Sequence, residues 1–255
     1  MASVDYDSEL QRFNEVLRRR YGIRPGDHVL DVGCGTGQTT RDAARMAAAG
    51  SATGVDVSAP MIERARQAAQ GLHDVAFEQG DAARQDFDSA RFDVVISRFG
   101  TMFFAKPIAA FTNLARATRP DGRLVMLVWQ ARERNEWAVA IRQALADDAA
   151  PSAGAPDAFS LGDPATVTRI LEAAGFGDVA FDDVHEPVYY GPDVAAAMAW
   201  VGGFSTVSEV LRRLDPASAD AARTRLEQML TAHARADGVW LDARAWLVTA
   251  RRRAG

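Results

Sequence analysis

Residues Val29–Gly37 read Val-Leu-Asp-Val-Gly-Cys-Gly-Thr-Gly, an apolar run with one embedded acid that breaks into three glycines at alternate positions. The pattern predicts a buried strand followed by a loop whose main chain touches a ligand. Glycine at Gly33, Gly35 and Gly37 permits positive φ and removes the Cβ, and the following helix N-terminus presents free N–H groups. Spacing narrows what is bound. The dinucleotide fingerprint G-x-G-x-x-G needs glycine at position 38, where this chain has Gln38. Asp31 is costly inside an apolar strand unless it is partnered. Its expected role is to organise the glycine loop, with a purely structural role as the alternative.

Further strands follow in order. Ala52–Val57 is short and apolar and ends on Asp56, about twenty residues past the glycines, where a carboxylate suits two ribose hydroxyls. Ser58 is placed to cap the next helix, with Met61 and Ile62 in its first turn. Val75–Asp81 is a third strand closing on Gly80-Asp81. Phe92–Ser97 is a fourth, followed by Arg98-Phe-Gly-Thr-Met-Phe-Phe104. Arg123–Trp129 is a fifth, after the turn Arg119–Gly122. Strands alternating with helical segments predict an α/β fold with a parallel, doubly wound sheet.

Taken together, these landmarks resemble the class I S-adenosylmethionine (SAM) dependent methyltransferases. The run 97–104 with Pro107, Trp129, Asn135 and Trp137 resembles a bacterial group related to quinone-biosynthesis methyltransferases, over most of residues 22–190. The resemblance implies a Rossmann-like, seven-stranded, mostly parallel sheet whose last strand runs antiparallel at or near the edge. It also implies SAM as cofactor, leaving as S-adenosylhomocysteine. Carried over by motif, Asp31 serves the cofactor's ammonium, and Gly33, Cys34, Gly35 and Gly37 form its loop. Asp56 takes the ribose, with Val57 and Met61 beside it. Asp81 receives the adenine amino group, Ala82 offers a backbone N–H to the ring, and Ser97 closes the set. Cys34 reads as a small loop side chain rather than a nucleophile, because no histidine is close in sequence to activate it.

The remainder is read more coarsely. Asp7–Tyr21 has helical spacing of Leu10, Phe13, Val16 and Leu17. Glu136–Ala149 reads as helix and 151–156 as loop. Asp163-Pro164 opens a helix that stops at Gly175. Val179–Tyr190 and Val239–Ala250 each read as one strand. Between these two lie about forty-five residues, Gly191–Asp237, with apolar positions at Met198, Trp200, Val201, Phe204 and Leu211; inserts of that length are usually functional. The expectation is a helical cap over the substrate cleft, with a homodimer contact as the alternative. The chain is thus one methyltransferase domain: a SAM-binding core (22–130), the C-terminal half of the sheet (131–190), the cap insert (191–237) and the last strand (238–255).

Composition limits partners. The net charge is −5 and Lys106 is the lone lysine, which disfavours gripping nucleic acid by its phosphates. One cysteine excludes an internal disulfide, the N-terminus lacks signal-peptide character, and the longest apolar runs are strand-sized, so no membrane span and a cytoplasmic location are expected.

Methyl transfer is an in-line displacement that needs alignment and exclusion of water. Arg98, beyond the fourth strand, is expected either to pair with an anionic substrate or to hold a carbonyl. His185, beside Glu186, is a candidate base with a structural role as the alternative. Phe99, Met102, Phe103 and Phe104 form either a pocket wall or core. No metal-binding carboxylate cluster of the catechol methyltransferase kind is recognisable. The expected function is metal-independent methylation of oxygen or carbon on a small apolar or aromatic molecule. A SAM-binding protein without transferase activity, or an NAD(P)-dependent oxidoreductase, are the alternatives.

Overall fold

The computed structural model describes residues 5–146 and 157–254. In chain order these form α1 (Tyr6–Glu9), α2 (Gln11–Arg20), β1 (His28–Val32), α3 (Gln38–Ala47), β2 (Ser51–Asp56), α4 (Ala59–Ala68), β3 (Val75–Gln79), β4 (Phe92–Arg98), α5 (Pro107–Ala117), β5 (Thr118–Trp129), α6 (Glu136–Leu145), α7 (Pro164–Ala173), β6 (Phe176–His185), β7 (Val188–Gly191), α8 (Val194–Gly202), α9 (Ser205–Arg213), α10 (Pro216–Ala232), β8 (Ala234–Arg235), β9 (Gly238–Leu241) and β10 (Arg244–Arg252). They gather into two compact units. One comprises residues 14–130, 156–184 and 245–255, the other 1–13, 131–155 and 185–244.

The larger unit is built on a seven-stranded sheet in the order β3-β2-β1-β4-β5-β10-β6. Strands β1 to β5 run parallel, and β10 runs antiparallel to β5, one place from the edge. Both halves of this arrangement match the expected fold. Val29 and Leu30 of β1 and Val94, Val95 and Ile96 of β4 are all fully buried, as central parallel strands covered by helices must be. Because β1, β2, β3 and β4 are parallel neighbours, the loops that leave their carboxyl ends emerge along one edge.

The smaller unit has a three-stranded antiparallel sheet, β7-β9-β8, with α1, α6, α8, α9 and α10. Helices α8 and α9 meet at 81°, and no single helix among the described residues is long and apolar enough to cross a membrane. Val201, Val207, Leu226 and Leu230 are buried, so the insert's apolar positions form a core.

Three local readings are corrected. The expected strand Val179–Tyr190 is two strands in different sheets, because Pro187 has no N–H to donate and holds Glu186 out of regular structure. The expected strand Val239–Ala250 is likewise two, β9 and β10. Between them Asp242 gives its N–H to Glu136 Oε2 (2.8 Å) and takes the Trp137 N–H on its carbonyl (3.4 Å), so its backbone is lost to either ladder. The N-terminal helix breaks at Leu10 into α1 and α2. Helix α6 is described to Leu145, and the expected loop 151–156 lies outside the described residues.

Candidate active site

The glycine loop starts tied to its neighbouring strand. Gly33 and Cys34 both donate their amides to the Val55 carbonyl, at 2.8 and 3.1 Å, and Gly37 donates to the Cys34 carbonyl at 2.9 Å. All three glycines have positive φ (71°, 55° and 78°). Their surroundings differ. A Cβ on Gly33 would lie 2.8 Å from Gly100 Cα, and one on Gly37 would lie 2.4 Å from the Phe77 ring, but one on Gly35 would meet nothing within 4 Å among the described residues. Packing therefore demands two of the glycines, whereas open space lies where a Gly35 Cβ would stand.

Asp56 closes β2 and spans the loop. Its Oδ2 accepts the Gly35 N–H at 2.9 Å and its Oδ1 the Ser58 N–H at 2.8 Å. Ser58 holds the N-cap position of α4, but its side chain makes no cap bond. Val57 between them is 68% exposed, and Met61 in the first turn of α4 is half-buried. After β3, the half-exposed Asp81 accepts the Ala83 N–H at 2.9 Å. Ala82 is buried, and its carbonyl is held by Asn113 Nδ2 (3.0 Å), which also donates to the Gln85 carbonyl (2.9 Å).

Asp31 is completely buried. Its Oδ2 accepts the hydroxyls of Thr39 and Thr40, both at 2.6 Å, while Oδ1 has no hydrogen-bond partner among the described residues. Burial pushes its pKa up to about 6, with the two hydroxyls and Arg98 pulling the other way and Asp56 adding to the rise. Cys34 is buried with Ile62, Ala65, Ala69 and Phe77. That burial, reinforced by Asp31 and Asp56, pushes its thiol pKa up and keeps it protonated, which fits a packing role and not a nucleophile.

At the end of β4, fully buried Ser97 donates its hydroxyl to the Val32 carbonyl (2.8 Å) and accepts the Gly100 N–H (3.3 Å), fastening β4's exit to the glycine loop. Arg98 Nη1 donates to Gln38 Oε1 at 2.7 Å. Phe99 adopts φ 58°, uncommon for a bulky residue, and stacks on Trp129 with centroids 3.8 Å apart. Phe99 and Met102 are core, while Phe103 is 50% exposed.

The carboxyl ends of β1 to β4 thus bring together Asp31, Gly33, Cys34, Gly35, Gly37, Asp56, Val57, Met61, Asp81, Ala82, Ser97 and Arg98, where open α/β sheets take their ligands. His185 belongs to the smaller unit, where Nε2 lies 2.7 Å from both carboxylate oxygens of Asp242. Sequence reasoning missed Thr39, Thr40, Gln38 and Asn113. Two adjacent hydroxyl residues at the start of a helix, just after a buried acid, were the available signal for the first two. Nothing local marks Asn113.

Residues 29–122 match the methyltransferase domain family. Over 251 residues the chain is 32% identical to nocamycin O-methyltransferase of Saccharothrix syringae, covering 90% of this chain and 88% of that one. The chain belongs to the class I SAM-dependent methyltransferases. A ubiquinone/menaquinone biosynthesis C-methyltransferase, UbiE of Bdellovibrio bacteriovorus, is 35% identical over 108 residues, covering 42% of this methyltransferase and 46% of the relative. The crystal structure of YcgJ from Bacillus subtilis superposes with a TM-score of 0.67 at 18% identity, covering 96% of this chain and all of that one, which shows the shared fold. The cofactor of this methyltransferase is SAM, and the oxidoreductase alternative falls away.

Proposed function

We propose that this methyltransferase transfers the methyl group of SAM to an oxygen or carbon atom of a small apolar or aromatic molecule, without a metal. The observation that carries the reading is the near full-length similarity to an O-methyltransferase, and the shorter match to a C-methyltransferase keeps carbon in the proposal. When bound, SAM supplies an electrophilic methyl group on a sulfonium.

The residues fit that cofactor. Gly35 has open space on its Cβ side among the described residues, and Asp56 has lone pairs beyond those taken by Gly35 and Ser58 for the ribose hydroxyls. Asp31 keeps one carboxylate oxygen for the ammonium end. Asp81 and the Ala82 backbone would serve adenine, with Val57 and Met61 against the ring. Gly33, Gly37, Cys34 and Ser97 hold the loop in shape. Arg98, braced by Gln38, would orient the acceptor. His185, its ring fixed by Asp242, would accept a proton from an acceptor that must lose one. In this reading 191–237 is a cap that excludes water, a homodimer contact being the alternative, and the enzyme works in the cytoplasm.

The test is incubation of cell metabolite extract with methyl-labelled SAM, with and without EDTA, followed by mass identification of labelled products. A labelled small molecule formed equally in both arms is expected. SAM binding without any labelled product would leave a binding protein, and loss of label with EDTA would reject metal independence.

A further inference from the structure

Helices α6 and α10 of the smaller unit run antiparallel and are tied together at two places. At one, Glu136 in the first turn of α6 puts its Oε1 3.1 Å from Nε2 of His233, the C-cap of α10, whose Nδ1 lies 2.7 Å from the Met229 carbonyl. At the other, Arg225 Nε donates to the Ala144 carbonyl at 2.7 Å. Glu136 and Ala144 are as far apart on α6 as His233 and Arg225 are on α10, so the two ties stand about 12 Å apart along the helices.

Between the ties the helices leave a cleft of about 700 Å³, and every described residue that lines it belongs to the smaller unit. Val139, Ala140 and Ala144 of α6 and Met229 and Ala232 of α10 give it apolar walls. The polar ties fix the spacing of the helices, and Ala140 and Ala232 are too short to fill it. Clefts of about 300–1,000 Å³ with apolar walls and a few placed polar groups are the kind that hold small molecules.

Two charged residues lining the cleft have groups with no partner among the described residues. The Arg225 guanidinium is bonded through Nε alone, which leaves the edge carrying Nη1 and Nη2. Two N–H groups on that edge match the spacing of carboxylate oxygens, and the bond to Ala144 holds their plane. Glu133, just before α6, makes no hydrogen bond or ion pair. The other charges are engaged. Glu136 faces His233 and accepts the Asp242 N–H at 2.8 Å, Asp242 faces His185 at 2.7 Å, and Arg134 also has a partner. The cleft therefore offers a free cation beside the last turn of α6 and a free anion before its first, with apolar walls between.

We propose that this cleft binds an elongated apolar acid that carries a hydrogen-bond donor at its far end, the carboxylate lying on Arg225, the apolar body on Ala140 and Met229, and the donor on Glu133. The site goes beyond the methyl-transfer reading and does not depend on it.

The probe is 6-hydroxy-2-naphthoate, titrated calorimetrically into the whole protein saturated with S-adenosylhomocysteine, beside 2-naphthol, which lacks the carboxylate, and 2-naphthoate, which lacks the hydroxyl. NMR of 13C-methyl methionine follows the same titrations, with the Met229 resonance assigned by its loss in Met229→Leu. Wild type is expected to bind the probe with a Kd below about 1 mM, about tenfold or more tighter than 2-naphthol and about threefold or more tighter than 2-naphthoate, and the Met229 resonance should move. Arg225→Gln should bring the probe and 2-naphthol within about threefold of each other, Arg225→Lys should keep part of the preference, and Glu133→Ala should remove the advantage over 2-naphthoate. Ala140→Phe should block all three, with melting temperature and S-adenosylhomocysteine affinity held in every variant. No binding by wild type, a Met229 resonance that stays still at saturation, or an affinity that Arg225→Gln and Ala140→Phe leave unchanged overturns the proposal. The wild-type Met229 shift decides the location of the probe even where a variant fails to fold. None of these outcomes bears on the labelled-SAM experiment, so the cleft and the methyl-transfer reading fail separately.

Discussion

The amide of Gly35 donates to Asp56 Oδ2 at 2.9 Å, so the glycine loop after β1 takes its position from the carboxylate that ends β2. One side chain therefore sets the loop's shape and is the group proposed to hold the cofactor's ribose.

Replacing that side chain has two effects that can be separated. Asp56→Ala should remove charge-assisted contacts worth about 2–4 kcal/mol and lower SAM affinity by about one to three decades in a protein that still folds. Asp56→Asn, which keeps an acceptor for the Gly35 amide, should lose less. Calorimetric titration with wild-type affinity in a folded Asp56→Ala protein rejects the assignment.

The glycines should divide by function. Gly35→Val places its Cβ more than 4 Å from any described residue except its chain neighbours and should cost about 1–2 kcal/mol for its left-handed backbone while abolishing SAM binding. Gly37→Ala drives a methyl into the Phe77 ring and should lower the melting temperature by more than Gly35→Val does. Melting curves with and without SAM read both effects; a Gly35→Val protein that SAM still stabilises refutes the assignment of Gly35 to the cofactor.

Asp31 predicts a pH dependence of stability. Its folded pKa, about 6, lies above the ordinary 3.8, so the folded state binds the extra proton and stability falls as pH rises through that window. The stabilisation is complete below the lower value and lost above the upper, amounting to about 3 kcal/mol. Asp31→Asn lacks this term, so its urea stability relative to wild type should climb by about that amount between pH 4 and pH 7. A difference that stays level with pH contradicts a buried, poorly compensated carboxylate.

The insert is the remaining question. Replacing Trp200 and Phe204 together with alanine removes rings of the smaller unit and none of the glycine loop. Acceptor kcat/KM should fall by at least tenfold, SAM affinity should hold, and solution mass should not change. Loss of SAM affinity in parallel would mark a stability element, and a change in mass a dimer contact.

Residues whose signals are local could be read directly from the chain. Apolar runs of strand length, glycines where the backbone turns left-handed, and Asp163 before Pro164, which accepts the Thr166 N–H as a cap at 2.9 Å, all act within a few residues, and spacing reveals them. The order of β1 to β5 and the loop residues Gly33 to Gly37, Asp56 and Asp81 follow from such signals. What joins distant residues was decided only by the tertiary structure. Thr39 and Thr40 find Asp31, Asn113 finds Ala82 31 positions away, and Asp242 is drawn out of a strand by Glu136 from 106 positions away. The smaller unit is the fullest case. Its three separate segments share a core because each buries apolar surface the others supply, and the unpaired hydroxyl of Tyr190 exists only once that core has closed around it.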